Sequence, residues 1–356
     1  MPLAGPLIPI SDLRFHRASP SPDSLRLLRV ACDYLGRLPP RPVVAVCVCS
    51  SVAWGNATPA SDLDVGLIVP EDTPLCSEKR PFGEDFVDHC EWPFSWITDL
   101  VEDPLQNPIL SYTVAFALVL FDPEGRLAAV QRRLAPAILN GGAKRWIDHF
   151  LGRAGQMRSK VRQKLNADPQ ADVASLLFEA VRRLSDAVLH LAPGGHCGEW
   201  PSRLRELAAQ TDRPWLAEEA LTILAPRGLD LAGLASAIDP IERLHHRSAT
   251  PPCGASIGCS AVSATFFARK ARYYAQAQDG LSLIRVLGRV LDYVDENLDA
   301  KQVAGGGAPA LAALQAEGQR IQGLIRRAWP LDQASIQASV ERLDLYVARI
   351  ANVLQG

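Results

Sequence analysis

The sequence has no excess of charge of either sign, because 37 Lys and Arg residues stand against 39 Asp and Glu residues and leave a formal charge of −2. This balance argues against a general nucleic-acid binder that attaches through bulk positive charge. Lysine is scarce and is found only at positions 79, 144, 160, 164, 270 and 301. A local basic pocket remains compatible with this composition.

Long apolar runs are also lacking, and none approaches the roughly 20 residues that a membrane-spanning helix needs. Eight cysteines in 356 residues are too few for a disulfide framework, and Cys47 and Cys49 lie within a short apolar run, as core residues do. The proline-broken start of the chain does not resemble a signal peptide. We therefore expect a cytoplasmic protein with neither a membrane nor a nucleic acid as its partner.

The first 140 residues alternate between helix and strand signals. Residues 22–38 repeat apolar side chains at helical spacing, with Ser21 as the N-cap and a pair of prolines after the last turn. Short apolar or alternating runs predict strands at 43–49, 63–69 and 86–92. Residues 115–121 are either a fourth strand or the end of a helix that runs into one. This order predicts a small mixed α/β domain.

After residue 142 the strand signals stop. Amphipathic helices are predicted at 143–167, 171–191, 201–209, 215–224, 260–278, 281–298, 310–328 and 335–354. We predict an α+β fold in which a small mixed-sheet domain, residues 1–140, is followed by an all-helical domain, residues 141–356.

Two carboxylates two residues apart, Asp62 and Asp64, open the second predicted strand. Alternate residues of a strand point the same way, so both carboxylates project from one face. Like charges this close are costly without a cation between them, and Mg²⁺ prefers carboxylate and phosphate oxygens. Ser50 and Ser51 follow the preceding strand, where hydroxyl and backbone N–H groups can hold the phosphates of a triphosphate.

The segment reads Ser50-Ser51-Val52-Ala53-Trp54-Gly55, then five residues, then Ser61-Asp62-Leu63-Asp64. It resembles the signature of the DNA polymerase β-type nucleotidyltransferase superfamily, and in particular its small "minimal" members, which include the aminoglycoside nucleotidyltransferases. The resemblance implies a nucleotide-binding role for Ser50, Ser51, Gly55 and Ser61, and a catalytic and metal-binding role for Asp62 and Asp64. One departure is that Ser50 stands where the family has glycine.

The family also has a third carboxylate on a neighbouring strand, which completes the metal site and can accept the proton of the attacking hydroxyl. Two residues of the third predicted strand are candidates, Asp88 and Glu91, and they point to opposite faces of a regular strand. Strand parity favours Asp88 as the third catalytic and metal-binding residue, with Glu91 as the alternative.

The resemblance implies an enzyme that uses two Mg²⁺ ions and a nucleoside triphosphate, with ATP as the first choice. It would move a nucleoside monophosphate to a hydroxyl of a small polar molecule, such as an antibiotic or a natural-product intermediate. In similar proteins the helical domain lines the cleft and supplies a basic residue, and the segment around Arg203 resembles the one that does so. The alternative is an antitoxin-like member that modifies a protein, or an inactive one that only binds a partner. The sequence does not indicate the oligomeric state.

Overall fold

The computed structural model describes residues 6–139, 143–168, 173–190, 200–225, 230–231, 261–287, 316, 319–320, 323 and 333–355. The chain divides into two compact units, one made of Met1–Leu151 and Ser185–Arg203 and the other of Gly152–Leu184 and Leu204–Gly356. The first unit contains a β-sheet, and the elements described in the second are helices. The α+β fold class is therefore confirmed. The boundary predicted after residue 140 falls outside the described residues and stays a prediction.

Five strands form one sheet in the first unit: β1 (Ala45–Val48), β2 (Leu63–Val69), β3 (Glu78–Phe82), β4 (Asp85–Pro93) and β5 (Leu118–Phe121). Their order across the sheet is β3-β4-β2-β1-β5. β2 and β4 run parallel, and the other neighbouring pairs are antiparallel. The sheet is therefore mixed, as the sequence predicts.

The helices with defined ends in the described residues are α1 (Pro22–Gly36), α2 (Ser50–Trp54), α3 (Phe94–Glu102), α4 (Pro108–Ala115), α5 (Arg126–Leu139), α6 (Ala143–Ala167), α7 (Ala174–Leu189), α8 (Trp200–Gln210), α9 (Trp215–Leu224), α10 (Ala261–Gln276) and α11 (Gln333–Gln355). Residues 280–287 are helical as well. Residues 288–298 and most of 310–328, where helices are also predicted, lie outside the described part of the chain. No described helix is both long and apolar enough to span a bilayer.

Helix α1 begins at the predicted cap. The Ser21 hydroxyl oxygen accepts a hydrogen bond from the Ser24 backbone N–H at 3.1 Å, and Pro22 takes the first helical position. The apolar face of α1, which includes the fully buried Leu27, belongs to one core cluster with residues of β1 and β2. The helix ends at Gly36, two residues before the predicted end. Packing of α1 thus supports the two strands that flank the predicted motif.

The strands follow the prediction with one omission. β2 has the predicted ends, β4 is one residue longer at each end, and β1 is shorter than predicted. The alternatives for residues 115–121 are both present in part, since α4 ends at Ala115 and β5 begins at Leu118. The sequence did not predict β3. This strand is polar, contains Pro81 and lies at the edge of the sheet, where apolar alternation is not needed and proline is tolerated.

The described helices of the second unit pack through apolar faces and a few buried hydrogen bonds. Helices α9 and α11 lie against each other, and the Tyr346 hydroxyl of α11 donates to the Leu216 carbonyl oxygen of α9 at 2.9 Å. The Ser339 hydroxyl donates to the Ile223 carbonyl oxygen at 2.7 Å. Both hydroxyls are buried and partnered, as a stable helix interface requires.

Candidate metal centre

Three carboxylates lie close together near the beginning of β2, where this strand runs parallel to β4. Asp62 immediately precedes β2, Asp64 is its second residue, and the register pairs Asp64 with Asp88 of β4. One carboxylate oxygen from each of the three residues lies within 4.8 Å of the others. Such a cluster of oxygen atoms could hold a metal ion. The structure thus brings together the three residues for which the sequence predicts a catalytic and metal-binding role.

Glu91 lies on the opposite face of β4. Its carboxylate is fully buried, forms an ion pair with Arg41, and contacts His89 Nε2 at 2.8 Å. It also accepts a hydrogen bond from the Cys76 backbone N–H at 2.7 Å. These contacts satisfy Glu91 within the protein, so the carboxylate that joins Asp62 and Asp64 is that of Asp88.

A lysine for which the sequence predicted no role also belongs to the cluster. Lys79 forms an ion pair with Asp62, and its Nζ lies 3.2 Å from Asp88 Oδ2. Its side chain is only 7% exposed. Lys79 belongs to β3, whose register places it directly beside Asp88. Because β3 was not predicted, the only available signal was the rarity of lysine in this chain.

The cluster shifts the ionisation of its own members. Burial, and after it the negative charges of Asp62 and Asp88, raise the pKa of Asp64 to about 7, although Lys79 and a hydrogen bond from the Ser50 hydroxyl act in the opposite direction. Burial lowers the pKa of Lys79, but attraction by the three carboxylates outweighs this effect, so the pKa is raised overall. The carboxylates thus repel one another, and a cation favours their ionised form.

Thiols lie next to the carboxylates. Cys90 Sγ is 3.8 Å from Asp88 Oδ1, and both burial and the Asp88 charge raise the pKa of this thiol. The contact with Cys47 and burial raise the pKa of Cys49. Thiols with raised pKa values stay protonated at neutral pH and are poor metal ligands. The available donors are therefore carboxylate oxygens, which suit Mg²⁺ or Mn²⁺. On this chemistry the residues present fit the metal that the resemblance implies.

The turn before the cluster carries the departure from the family pattern. Ser50 has a φ of 53°, in the left-handed region that favours glycine. The serine therefore adopts the backbone conformation for which glycine is suited, and its hydroxyl hydrogen-bonds to Asp64. Gly55 ends α2 with a φ of 78°, and a Cβ there would lie 3.1 Å from Pro20. Both the backbone conformation and this close approach thus favour glycine at position 55.

The other predicted nucleotide-binding residues lie near this turn. Ser51 is the second residue of α2. The Ser61 hydroxyl oxygen accepts a hydrogen bond from the Thr58 backbone N–H at 3.0 Å, so it stabilises the loop that leads to Asp62. Arg203 is buried, and its guanidinium carbon lies 5.8 Å from the centre of the Trp54 ring at the end of α2. None of these contacts tests phosphate binding, so these roles stay predictions.

Comparisons with known proteins add little to this geometry. No protein-family model matches the sequence, and no curated protein matches it significantly. Among solved structures, the chain is similar to a crystal structure of a nucleotidyltransferase-like protein from Exiguobacterium sibiricum 255-15. The two share 9% identity over 86% of this chain and 91% of the other, with a TM-score of 0.32. A likeness at this level does not establish a common fold, so the functional conclusions below depend on the site itself.

Proposed function

We propose that the chain is a metal-dependent nucleotidyltransferase that moves a nucleoside monophosphate from a nucleoside triphosphate to a hydroxyl of a small polar molecule and releases pyrophosphate. The observation that carries this proposal is the meeting of Asp62, Asp64 and Asp88 beside the Ser-Ser turn. An isolated Asp-x-Asp pair is common on strands. A third carboxylate placed next to it by a parallel strand makes a site with a specific chemistry.

Asp62, Asp64 and Asp88 would hold the metal. A divalent cation bound there would lower the pKa of the acceptor hydroxyl, and its positive charge would stabilise the negative charge of the phosphates. In the reaction, the acceptor oxygen forms a bond to the α-phosphorus while the bond from that phosphorus to the bridging oxygen of pyrophosphate breaks. We assign to Asp88 the acceptance of the hydroxyl proton.

The remaining predicted residues would orient the triphosphate. Ser50, Ser51 and Ser61 belong to the turn and loop that lead into the carboxylates, and Gly55 gives that turn its shape. Arg203 carries a positive charge next to Trp54 of the same turn. We propose that this arginine contacts the phosphates, with ATP as the expected nucleotide. The acceptor would be a hydroxylated antibiotic or natural product rather than a nucleic acid, because the chain has no excess positive charge.

Pyrophosphate release tests this proposal directly. The purified chain is incubated with Mg²⁺, each of the four common nucleoside triphosphates and a panel of hydroxylated metabolites and aminoglycosides. Release is expected with one or more acceptors and is expected to fall at least 100-fold in Asp64→Asn. Glu84→Gln is the matched control, since it removes a carboxylate of the same unit that lies outside the cluster. Absence of release with every acceptor, or release that survives Asp64→Asn, would contradict the proposal.

A second candidate function has one specific observation in its favour. Lys79 already provides a positive charge between Asp62 and Asp88, which is an arrangement that an inactive, metal-free protein would also show. Such a protein would act by binding a partner, and an antitoxin-like enzyme would instead modify one. Calorimetry with Mn²⁺ distinguishes the inactive protein from an active enzyme, because the inactive protein is expected to bind no Mn²⁺. Mass spectrometry of co-purifying proteins, searched for added nucleotide mass, separates the protein-modifying form.

A further inference from the structure

Lys79 is built into the cluster by the backbone. The ladder of β3 with β4 places Lys79 beside Asp88, and the ladder of β4 with β2 places Asp88 beside Asp64. Lateral neighbours in a sheet project from the same face, so these three side chains form a row across the sheet. The lysine therefore reaches the carboxylates because of strand register. It is not a surface side chain that has folded over by chance.

Burial holds the lysine in this position. Its side chain is 7% exposed, against 85% for Lys144 on α6. Nζ contacts Asp62 on one side and Asp88 on the other. A buried ammonium that leaves both carboxylates would need other partners for its charge, which makes departure costly. Lys79 is thus a fixed positive charge of the site.

The charges of the cluster then limit the number of metal ions. When a bound cation keeps all three carboxylates ionised, they carry three negative charges, and Lys79 offsets one of them. One divalent cation completes neutrality. Two divalent cations would leave two unbalanced positive charges in a half-buried site before any phosphate binds, which is unfavourable.

We propose that Lys79 takes the place of one of the two metal ions that the resemblance implies, so that the nucleotide-free cluster binds one divalent cation with the lysine still in place. This inference depends on the proposed function, because that function requires a metal site. Lys79 is then a positioning residue, whose fixed positive charge would help to orient the triphosphate. Because Lys79 is a strand residue, its positive charge is present before substrate arrives.

The number of bound ions tests the inference without an activity assay. Mn²⁺ is titrated into the full chain without nucleotide and counted by calorimetry and by electron paramagnetic resonance. One Mn²⁺ per chain is expected, and none in Asp64→Asn. Lys79→Met is expected to bind a second Mn²⁺ or to bind the first at least 10-fold more tightly, whereas Lys144→Met is expected to match the wild type. Two ions bound to the wild type would overturn the inference but leave the proposed function standing, and no bound ion would contradict both.

Lysine labelling provides a measurement that needs no variant. The wild type is treated briefly with acetic anhydride, and the modified lysines are quantified by mass spectrometry with Lys144 as the internal reference. Lys79 is expected to react at least 10-fold more slowly than Lys144, both without Mn²⁺ and with saturating Mn²⁺. If Mn²⁺ raised the labelling of Lys79 towards that of Lys144, the metal would displace the lysine, and the inference would be wrong.

Discussion

Replacement of Ser50 by glycine and by alanine separates two effects of this residue. Ser50 has a φ of 53°, and a residue with a Cβ in the left-handed region costs about 1–2 kcal/mol more than glycine. Its hydroxyl also hydrogen-bonds to Asp64, and such a bond contributes about 1 kcal/mol. Ser50→Ala loses the hydrogen bond and keeps the strained backbone. Ser50→Gly loses the same bond but relieves the strain.

Both variants therefore lose the hydrogen bond to Asp64, but only Ser50→Ala keeps the backbone strain. We expect Ser50→Ala to be less stable than the wild type by about 1 kcal/mol, and Ser50→Gly to be more stable than Ser50→Ala by about 1 kcal/mol after the greater chain entropy of glycine is counted. Urea unfolding of both variants, followed by circular dichroism in metal-free buffer, measures the difference as a shift in midpoint. Equal midpoints, or a higher midpoint for Ser50→Ala, would show that the backbone at this position is not strained.

Three further predictions concern the residues around the cluster. Because the folded pKa of Asp64 is about 7 and its ordinary value is 3.8, the metal-free wild type should lose stability as the pH rises from about 4 to 7. Asp64→Asn removes this loss, and its thermal midpoint at pH 8 should exceed that of the wild type by an amount corresponding to about 1–3 kcal/mol, with no difference at pH 4. Glu91→Gln should lower the free energy of unfolding by about 3 kcal/mol, because it removes the buried charge that pairs with Arg41. The same variant should bind Mn²⁺ as the wild type does, and a loss of binding would mean that Glu91 helps to hold the metal. Gly55→Ala should lower the urea midpoint by an amount corresponding to about 1–3 kcal/mol, because residue 55 has a φ of 78° and its new Cβ would lie too close to Pro20. An unchanged midpoint would contradict this backbone conformation.

The parts of the fold that depend on local sequence were predictable. Helix α1 has a serine cap and regular apolar spacing, and β2 is an apolar run that begins after a turn, so both were predicted with accurate starts. Asp62 and Asp64 were found because their spacing in a strand has a chemical meaning. Strand parity also put Asp88 and Glu91 on opposite faces, and the structure shows Asp88 beside the other two.

The parts that depend on pairing between distant segments were not predictable. Nothing local in β3 distinguishes it from a polar loop, because an edge strand needs neither apolar alternation nor freedom from proline. The position of Lys79 follows from that strand, so it was missed as well. Likewise, the contact of Arg203 with Trp54 joins residues about 150 positions apart, and only the folded chain shows it.

The fate of the α-phosphate tests the central claim most directly. The chain is incubated with the most active acceptor and with triphosphate labelled at either the α- or the γ-phosphate, in the presence and absence of Mg²⁺. We expect the α label alone to move to the acceptor. This transfer should require Mg²⁺, and Asp64→Asn should abolish it. Transfer of the γ label, or transfer of the α label that persists in Asp64→Asn, would contradict the assignment of Asp62, Asp64 and Asp88 as the centre of a nucleotidyltransferase.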